Sequence, residues 1–515
     1  MQMPLPNGRK SYKRIRVDWK GLNRRHPYDT GYISEETNGF TAEYPDFTPA
    51  PMPEATNWFN VNDMVQPLGL YGFDEFLILF YVRRTDSANK PYTLTMTYMD
   101  VKTDTKYSTD FYEFKSSLSE MDLRQRKIVQ FNVLGAAENV LTGSYEKKLL
   151  IFPDRRVADW DIPGKSENNT FNTVSMGSEV PEMDDVTVHL SRLFGVKDGR
   201  IYASGFNDYT NWNVDTAFTE EAGNDGTVNF TDGYDENNAW VSMTQSNTEA
   251  SGDFTAITTY QGHVVAFKKD YMHEIYNTKN PFRVQDIYAE GCIDKRSIQE
   301  IGGMLLFAAE DGVKTYTGGK PKLLSYELDI RKLKTAIAGG DDRYYYLYCV
   351  DEKNREAIYV YDTYCGQWSK REAPAAVVNF ARTNKGVYAL CENGLIYKID
   401  SKNYGHEWNF ETDFMTAISS SYGTVDIKHI RRLQMYVHIE GSLQLYLLYD
   451  DETFNAESSH LVFDSAGRTG DRVIRVIPRK TACYHFRLYA KGIGFVRLHQ
   501  LEILIENGGE PNVTN

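Results

Sequence analysis

Three things are scarce in this 515-residue chain, and each scarcity excludes a class of protein. Cysteine is the first: Cys292, Cys349, Cys365, Cys391 and Cys483 are odd in number, widely spaced and include no CxxC pair. This leaves no zinc knuckle, redox dithiol or disulfide framework, and free thiols suited to a reducing cytoplasm are expected. Long apolar runs are the second. The longest, Phe76 to Val82, is far below a membrane span, and Met1 to Gly8 has no apolar core of signal-peptide length. A soluble chain without an export signal or membrane insertion is therefore expected. Catalytic motifs are the third: there is no HExxH and no GxSxG, and Gly318-Gly319-Lys320 runs into Pro321 where a phosphate loop needs Ser or Thr. The ten histidines are scattered and mostly lie within strand patterns, which fits structural roles. No enzyme, no cofactor and no metal is expected. The acidic stretch around Asp225, Asp232, Asp235 and Glu236 has oxygen donors that calcium would accept, but its spacing matches no calcium loop and it reads as solvated.

What is abundant is the aromatic side chain, at 13 % of residues with 36 Tyr and 26 Phe. Broad rings pack well across a pleated surface, so an all-β chain is expected. Its length requires two or three compact units. Helix is confined to short candidates at Leu118 to Lys127 and Leu328 to Ala338.

One unit recurs between Phe254 and Ser401: an apolar strand, a Gly turn, an aromatic-rich strand, a polar turn, and a strand ending in Tyr. The turns fall at Gln261-Gly262, Gly302-Gly303, Gly339-Gly340 and Lys385-Gly386. The closing tyrosines Tyr276, Tyr316, Tyr361 and Tyr397 are 40, 45 and 36 residues apart, close to the length of a four-stranded propeller blade. They are expected to be blade-closing core residues. A small sheet apolar on both faces cannot stand alone, so such blades stack around an axis. Upstream, Phe76 to Val82, Tyr92 to Tyr98, Leu149 to Trp160 and Leu193 to Tyr202 read as further blades, for six or seven in all. The Gly, Asn and Asp-rich stretch 207–238 interrupts the pattern as a rim insertion.

After residue 403 the strands lengthen and alternate strictly, as in Leu433 to Ile439, Leu443 to Tyr449, Val473 to Ile477, His485 to Ala490 and Leu498 to Ile505. A β-sandwich of about 100 residues is expected there. The organisation is thus an N-terminal basic arm and docking segment over 1–60, a β-propeller over 61–402, a β-sandwich over 403–508 and a tail over 509–515.

Charge is uneven. Residues 1–28 hold eight basic residues against Asp18 alone, and the remainder holds 49 basic and 70 acidic residues within a net charge of −14. A basic arm before an acidic body suits an acidic neighbour or nucleic acid. Because Ile15, Val17, Trp19 and Leu22 are interleaved with the charges, Arg9, Lys10, Lys13, Arg14, Arg16, Trp19, Lys20, Arg24 and Arg25 are expected to dock on a partner subunit.

Three stretches carry a resemblance. They are Lys20-Gly-Leu-Asn-Arg-Arg with Glu36-Thr-Asn and Tyr44-Pro-Asp-Phe; Thr258 to Lys269 through Gly291 to Gly303-Met-Leu-Leu-Phe-Ala-Ala; and Trp408-Asn-Phe-Glu-Thr-Asp to Arg431-Arg-Leu and Tyr489-Ala-Lys-Gly-Ile-Gly. On these the chain resembles the β-propeller structural proteins of tailed bacteriophages, including tail nozzle proteins. The resemblance implies a virion protein of the tail, assembled in the host cytoplasm as a homo-oligomeric ring, commonly hexameric. It would contact the portal, adaptor and other tail proteins, and line a channel through which double-stranded DNA passes without specific binding. An acidic wall repels phosphate, so DNA would slide past it. Two other functions fit such a propeller: a host-receptor, glycan-binding or fibre-attachment tail protein displaying rim aromatics such as Tyr209 and Trp212, and a glycoside hydrolase with a carboxylate pair on the axis.

Overall fold

The computed structural model describes residues 11–26, 31–40, 43–58, 64–86, 91–114, 129–138, 145–152, 155–159, 173–214, 237–242, 252–277, 279–280, 282–288, 290–413, 428–450, 452–479, 482–483 and 486–507. The structure is nearly all β. Among the described residues helix is limited to two 3-10 turns, Lys295–Ser297 and Tyr326–Leu328.

Seven four-stranded antiparallel sheets follow one another along the chain, beginning at Met64, Val129, Asp185, Phe254, Gln299, Leu333 and Val377. The first six are simple meanders. In the seventh, the strands Val377–Thr383, Gly386–Cys391 and Ile396–Lys398 take their fourth partner from Glu54–Thr56, far upstream. The stretch 207–238 falls between the third and fourth strands of the third sheet, Arg200–Ala203 and Trp240–Val241. Most of it, with Asp225, Asp232, Asp235 and Glu236, lies outside the described residues, as does Leu118 to Lys127.

The strict alternation of the second strands explains why the sheets stack. In the second sheet, Leu149 and Ile151 pack against Phe76, Ile78 and Phe80 of the first, while Leu150 and Phe152 pack against Val186 and Leu193 of the third. In the fifth, Leu305 and Phe307 face Tyr260 and Phe267 of the fourth, while Leu306 and Ala308 face Ala336 and Tyr345 of the sixth. Leu77 and Leu79 of the first sheet share a core with Ala381, Tyr388 and Leu390 of the seventh. Packing therefore runs from each sheet to the next and from the last back to the first. Each fully buried Leu or Phe contributes about 1.5–3 kcal/mol, and both faces of every sheet are used.

All four repeat tyrosines lie on third strands, but they are not equivalent. Tyr316 and Tyr361 are buried, against Tyr260 at 5.5 Å and Trp368 at 4.9 Å between ring centroids. Tyr397 is half-buried. Tyr276 is 39 % exposed and stacks on His263, so it is not a core residue. The register supplies the reason: Ile275 pairs with Val264 as Tyr316 pairs with Leu305, each the second residue after the first turn. Ile275 thus holds the buried position, and one residue further along a strand points to the opposite side.

Two other expectations are corrected. The helix expected over Leu328 to Ala338 is mostly strand, Leu333–Gly340, because pairing and burial against neighbouring sheets override the favourable helix propensity of Leu, Lys and Ala, which amounts to less than about 1 kcal/mol per residue. Gly339 and Gly340 end that strand instead of forming the turn. A Cβ on Gly339 would overlap Phe380 of the seventh sheet, so glycine there permits close approach of two sheets.

A two-stranded ribbon, Gly39–Phe40 with Thr48–Pro49, and two five-stranded sheets make up the rest of the described strands. One has the order Ser11–Val17, Val496–Asn507, Lys428–Ile439, Gly470–Val476, with Ala482–Cys483 pairing at the start of the third. The other has the order Ile33–Thr37, Glu407–Asp413, Phe486–Ile493, Ser442–Tyr449, His460–Asp464. Their apolar faces share one core, including Val17, Ile33, Phe410, Met435, Leu445, Leu488 and Ile503, and this core continues into the fifth and sixth sheets through Trp19, Leu22 and Trp368.

The segment expected to be an arm for a partner is thus built into this chain. Ser11–Val17 pairs with Leu501–Asn507. Trp19 is fully buried and its indole N–H donates to the His499 carbonyl at 2.8 Å. The Leu22 N–H donates to the Trp368 carbonyl at 2.7 Å, and a Cβ on Gly21 would overlap that same oxygen. Alternating apolar residues wanted burial and found it internally.

At this seam Glu36 is buried, with Oε1 accepting the Lys370 N–H. Burial pushes its carboxyl up to about 8. The folded chain thus keeps a proton on Glu36 at pH values where the unfolded chain has lost it. Stability attributable to Glu36 falls as pH rises from about 4.5 to about 8 and is then level. Glu36→Gln should therefore gain on wild type by roughly 1.4 kcal/mol per pH unit across that window, measured by urea unfolding. A pH-independent difference would contradict the buried, protonated carboxyl. Tyr316→Ala should cost about 3–5 kcal/mol and Tyr276→Ala under about 1 kcal/mol; equal losses would refute the register. Deleting residues 1–28 should lower the thermal midpoint through lost burial of Val17, Trp19 and Leu22, and an unchanged midpoint would return the segment to the role of a free arm.

Candidate functional site

The first strands of the first, third, fourth and seventh sheets, with the Lys295–Ser297 turn before the fifth, surround a cavity of about 270 Å³. Its polar lining is Asp185, Thr258, Lys295, Arg296 and Asn379, and its apolar lining includes Leu70, Ile257 and Phe380. In a closed ring of sheets this is where a small ligand would meet the most chain segments at once.

Local sequence explains how the turn is built. Asp294 caps it, accepting the Arg296 N–H at 2.9 Å, and holds the Arg296 guanidinium with both carboxylate oxygens at 3.0 and 2.7 Å. The remaining Arg296 nitrogen, Nη1, donates to the Val378 carbonyl of the seventh sheet at 2.9 Å. Lys295 reaches the other way, donating to the Asp184 carbonyl at 2.7 Å and lying 3.8 Å from the Asp185 carboxylate. Asp185 in turn accepts the Ile257 N–H of the fourth sheet at 2.9 Å. Asn379 donates to the Leu70 carbonyl of the first sheet at 2.8 Å, and the Tyr345 hydroxyl of the sixth donates to the Ser297 carbonyl at 2.8 Å. One three-residue turn is therefore tied directly to the third, sixth and seventh sheets, and through Asp185 and Asn379 the chain of bonds reaches the fourth and first.

Burial raises the Asp185 carboxyl, and Lys295 opposes that shift. In this cavity Asp185, Lys295, Arg296 and Asn379 all bond to neighbouring sheets. The chemistry here is that of a polar lock. Sequence reading missed it, although Asp294-Lys-Arg-Ser, an N-cap followed by two cations just ahead of a strand, was a usable signal.

Of the residues expected to dock on a partner, those described have contacts within this chain. Arg14 and Arg16 meet Glu502 at 3.7 and 3.3 Å. Lys20 lies over the Tyr32 ring, Arg24 donates to the Tyr359 hydroxyl at 2.9 Å and to Glu35 at 3.0 Å, and Arg25 reaches Asp329 at 3.4 Å. Lys13 lies within the first strand, and Arg9 and Lys10 lie outside the described residues. Tyr209 and Trp212 are half-buried against the core between the second and third sheets, with the Trp212 indole donating to the Tyr209 carbonyl.

No protein-family model matches the chain, and neither does any curated protein sequence. Among solved structures it is similar to BamB from Moraxella catarrhalis, at 12 % identity and a TM-score of 0.33 over 66 % of this chain and 84 % of that one. It is similar also to a putative 6-phosphogluconolactonase from Bacteroides fragilis, at 13 % and 0.33 over 63 % and 91 %. A third is the β-propeller domain of the trilobed protease from Pyrococcus furiosus, at 10 % and 0.34 over 67 % and 94 %.

Arg296→Ala removes the link to the seventh sheet and leaves Asp294 without its partner. It should destabilise the chain by about 1–3 kcal/mol, read as a shift in the denaturation midpoint. No shift would mean that the turn is not a lock.

Proposed function

We propose that this chain is a non-catalytic assembly subunit of a tailed-phage virion, a tail nozzle or head-to-tail connector component that forms a ring around the DNA exit path. In this proposal the seven sheets are the blades of a seven-bladed propeller and the two five-stranded sheets are a β-sandwich. The supporting observation is the axial lock: the position at which a propeller would hold a substrate carries charged groups bonded from sheet to sheet, an arrangement suited to a rigid building block. The phage assignment rests on the sequence resemblance. The net charge of −14 fits a surface past which DNA slides.

The mass of the purified protein, alone and mixed with virion connector proteins, tests this by light scattering. A closed oligomer of about six subunits, or one forming on the connector, is expected for a cyclic assembly. A monomer that ignores the connector and hydrolyses or binds glycans would overturn it.

A further inference from the structure

The sheet ordered Ser11–Val17, Val496–Asn507, Lys428–Ile439, Gly470–Val476 has a buried face and an outer one. Leu433, Met435, Val437, Ile474 and Val476 point inward, so by strand alternation Arg432, Gln434, Tyr436, Val473 and Arg475 lie on the outer face. Cross-strand pairing places them in rows: Arg16, Glu502, Gln434 and Arg475 in one, Arg14, Leu504 and Arg432 in the next. Glu502 is the one carboxylate in these rows, bridged by Arg14 and Arg16 and accepting from the Gln434 amide at 2.7 Å. Within these two rows four guanidiniums stand against one carboxylate, on a chain whose net charge is −14; the same face is bounded by Glu506, bridged by Arg431, at one end and by Asp471, 2.8 Å from His438, at the other. Beside it stand exposed apolar groups: Tyr436 at 43 %, its cross-strand partner Val473 at 58 %, and Ile477 at 75 %.

We infer that this face docks against an acidic surface of a second copy of the chain, head to tail. The inference rests on the ring-forming function proposed above and names the surface it would use. Arginine with an aromatic and aliphatic centre is the composition of a protein interface core. Nucleic acid would gain nothing from protruding Val473 and Ile477. A two-fold contact centred on Arg432 and Arg475 would set arginines against arginines, which is repulsive. Self-association through it is therefore heterologous, which generates a ring when the rotation closes.

Sedimentation velocity of the full chain at about 0.05 M and about 1 M salt tests the inference on wild type, Arg432→Glu/Arg475→Glu and Val473→Ser/Ile477→Ser. Neither pair includes a Glu502 bridge or a buried residue, and thermal unfolding checks that the fold is kept. The expected result is a wild-type oligomer that weakens with salt, with association at least tenfold weaker in the charge-reversed variant and weaker in the serine variant. An oligomer unchanged in both variants would overturn the inference and leave the assembly function standing. A wild type monomeric at both salts, and with connector proteins, would remove both. Binding of a short DNA duplex that the charge reversal abolishes while self-association persists would reassign the face to nucleic acid.

Discussion

The ring of sheets depends on three residues. Glu54–Thr56 pairs with Ile396–Lys398, register Thr56 to Ile396 and Glu54 to Lys398, and the Thr56 hydroxyl adds a bond to the Ile396 carbonyl at 2.9 Å. Without this strand the seventh sheet ends on an open three-residue edge, a site for fraying and for pairing with foreign chains. Since the first sheet begins at Met64, the chain enters and leaves the ring at one seam. The apolar core between the seventh and first sheets and the upstream strand hold that seam together.

The same upstream segment also joins the ring to the two five-stranded sheets. Before reaching the seam it supplies an edge strand to each of those sheets and threads Trp19 and Leu22 into the core they share with the sixth sheet. One of its polar side chains is fully engaged: Asn38 donates to Glu372 at 3.1 Å and to the Glu407 carbonyl at 3.0 Å, and accepts the Glu372 N–H at 3.0 Å. Arg371 is buried between the Phe40 and Tyr346 rings. Buried polar groups of this kind are costly when mismatched, so they specify one docking arrangement where apolar packing alone would tolerate several.

The axial lock extends that logic around the ring. Apolar stacking between sheets is non-directional and tolerates sliding, whereas hydrogen bonds from Arg296, Lys295 and Asn379 to particular carbonyls do not. Stacked hydrophobic faces supply most of the stability, and a small polar network at the centre sets the phase of one sheet against another.

Much of this was legible in the amino-acid order. Turn glycines, alternating strands and the Tyr period marked the repeat, because each sheet is a local meander whose bonds link residues close in sequence. The change to longer strands after residue 403 coincides with the change from four-stranded to five-stranded sheets. Tyr276 and the Leu328 to Ala338 segment were misread because a one-residue slip, or a neighbouring sheet, decides burial where local pattern is ambiguous. Local pattern in the amino-acid order is enough for an all-β chain of repeated small sheets followed by longer strands. Tertiary structure alone decided where residues 11–56 go and which charges meet on the axis. Alternation reveals that a strand has a face to bury, while backbone hydrogen bonds are blind to side-chain identity. The pairing of Ser11–Val17 with Leu501–Asn507 therefore left no mark distinguishing it from docking on another chain.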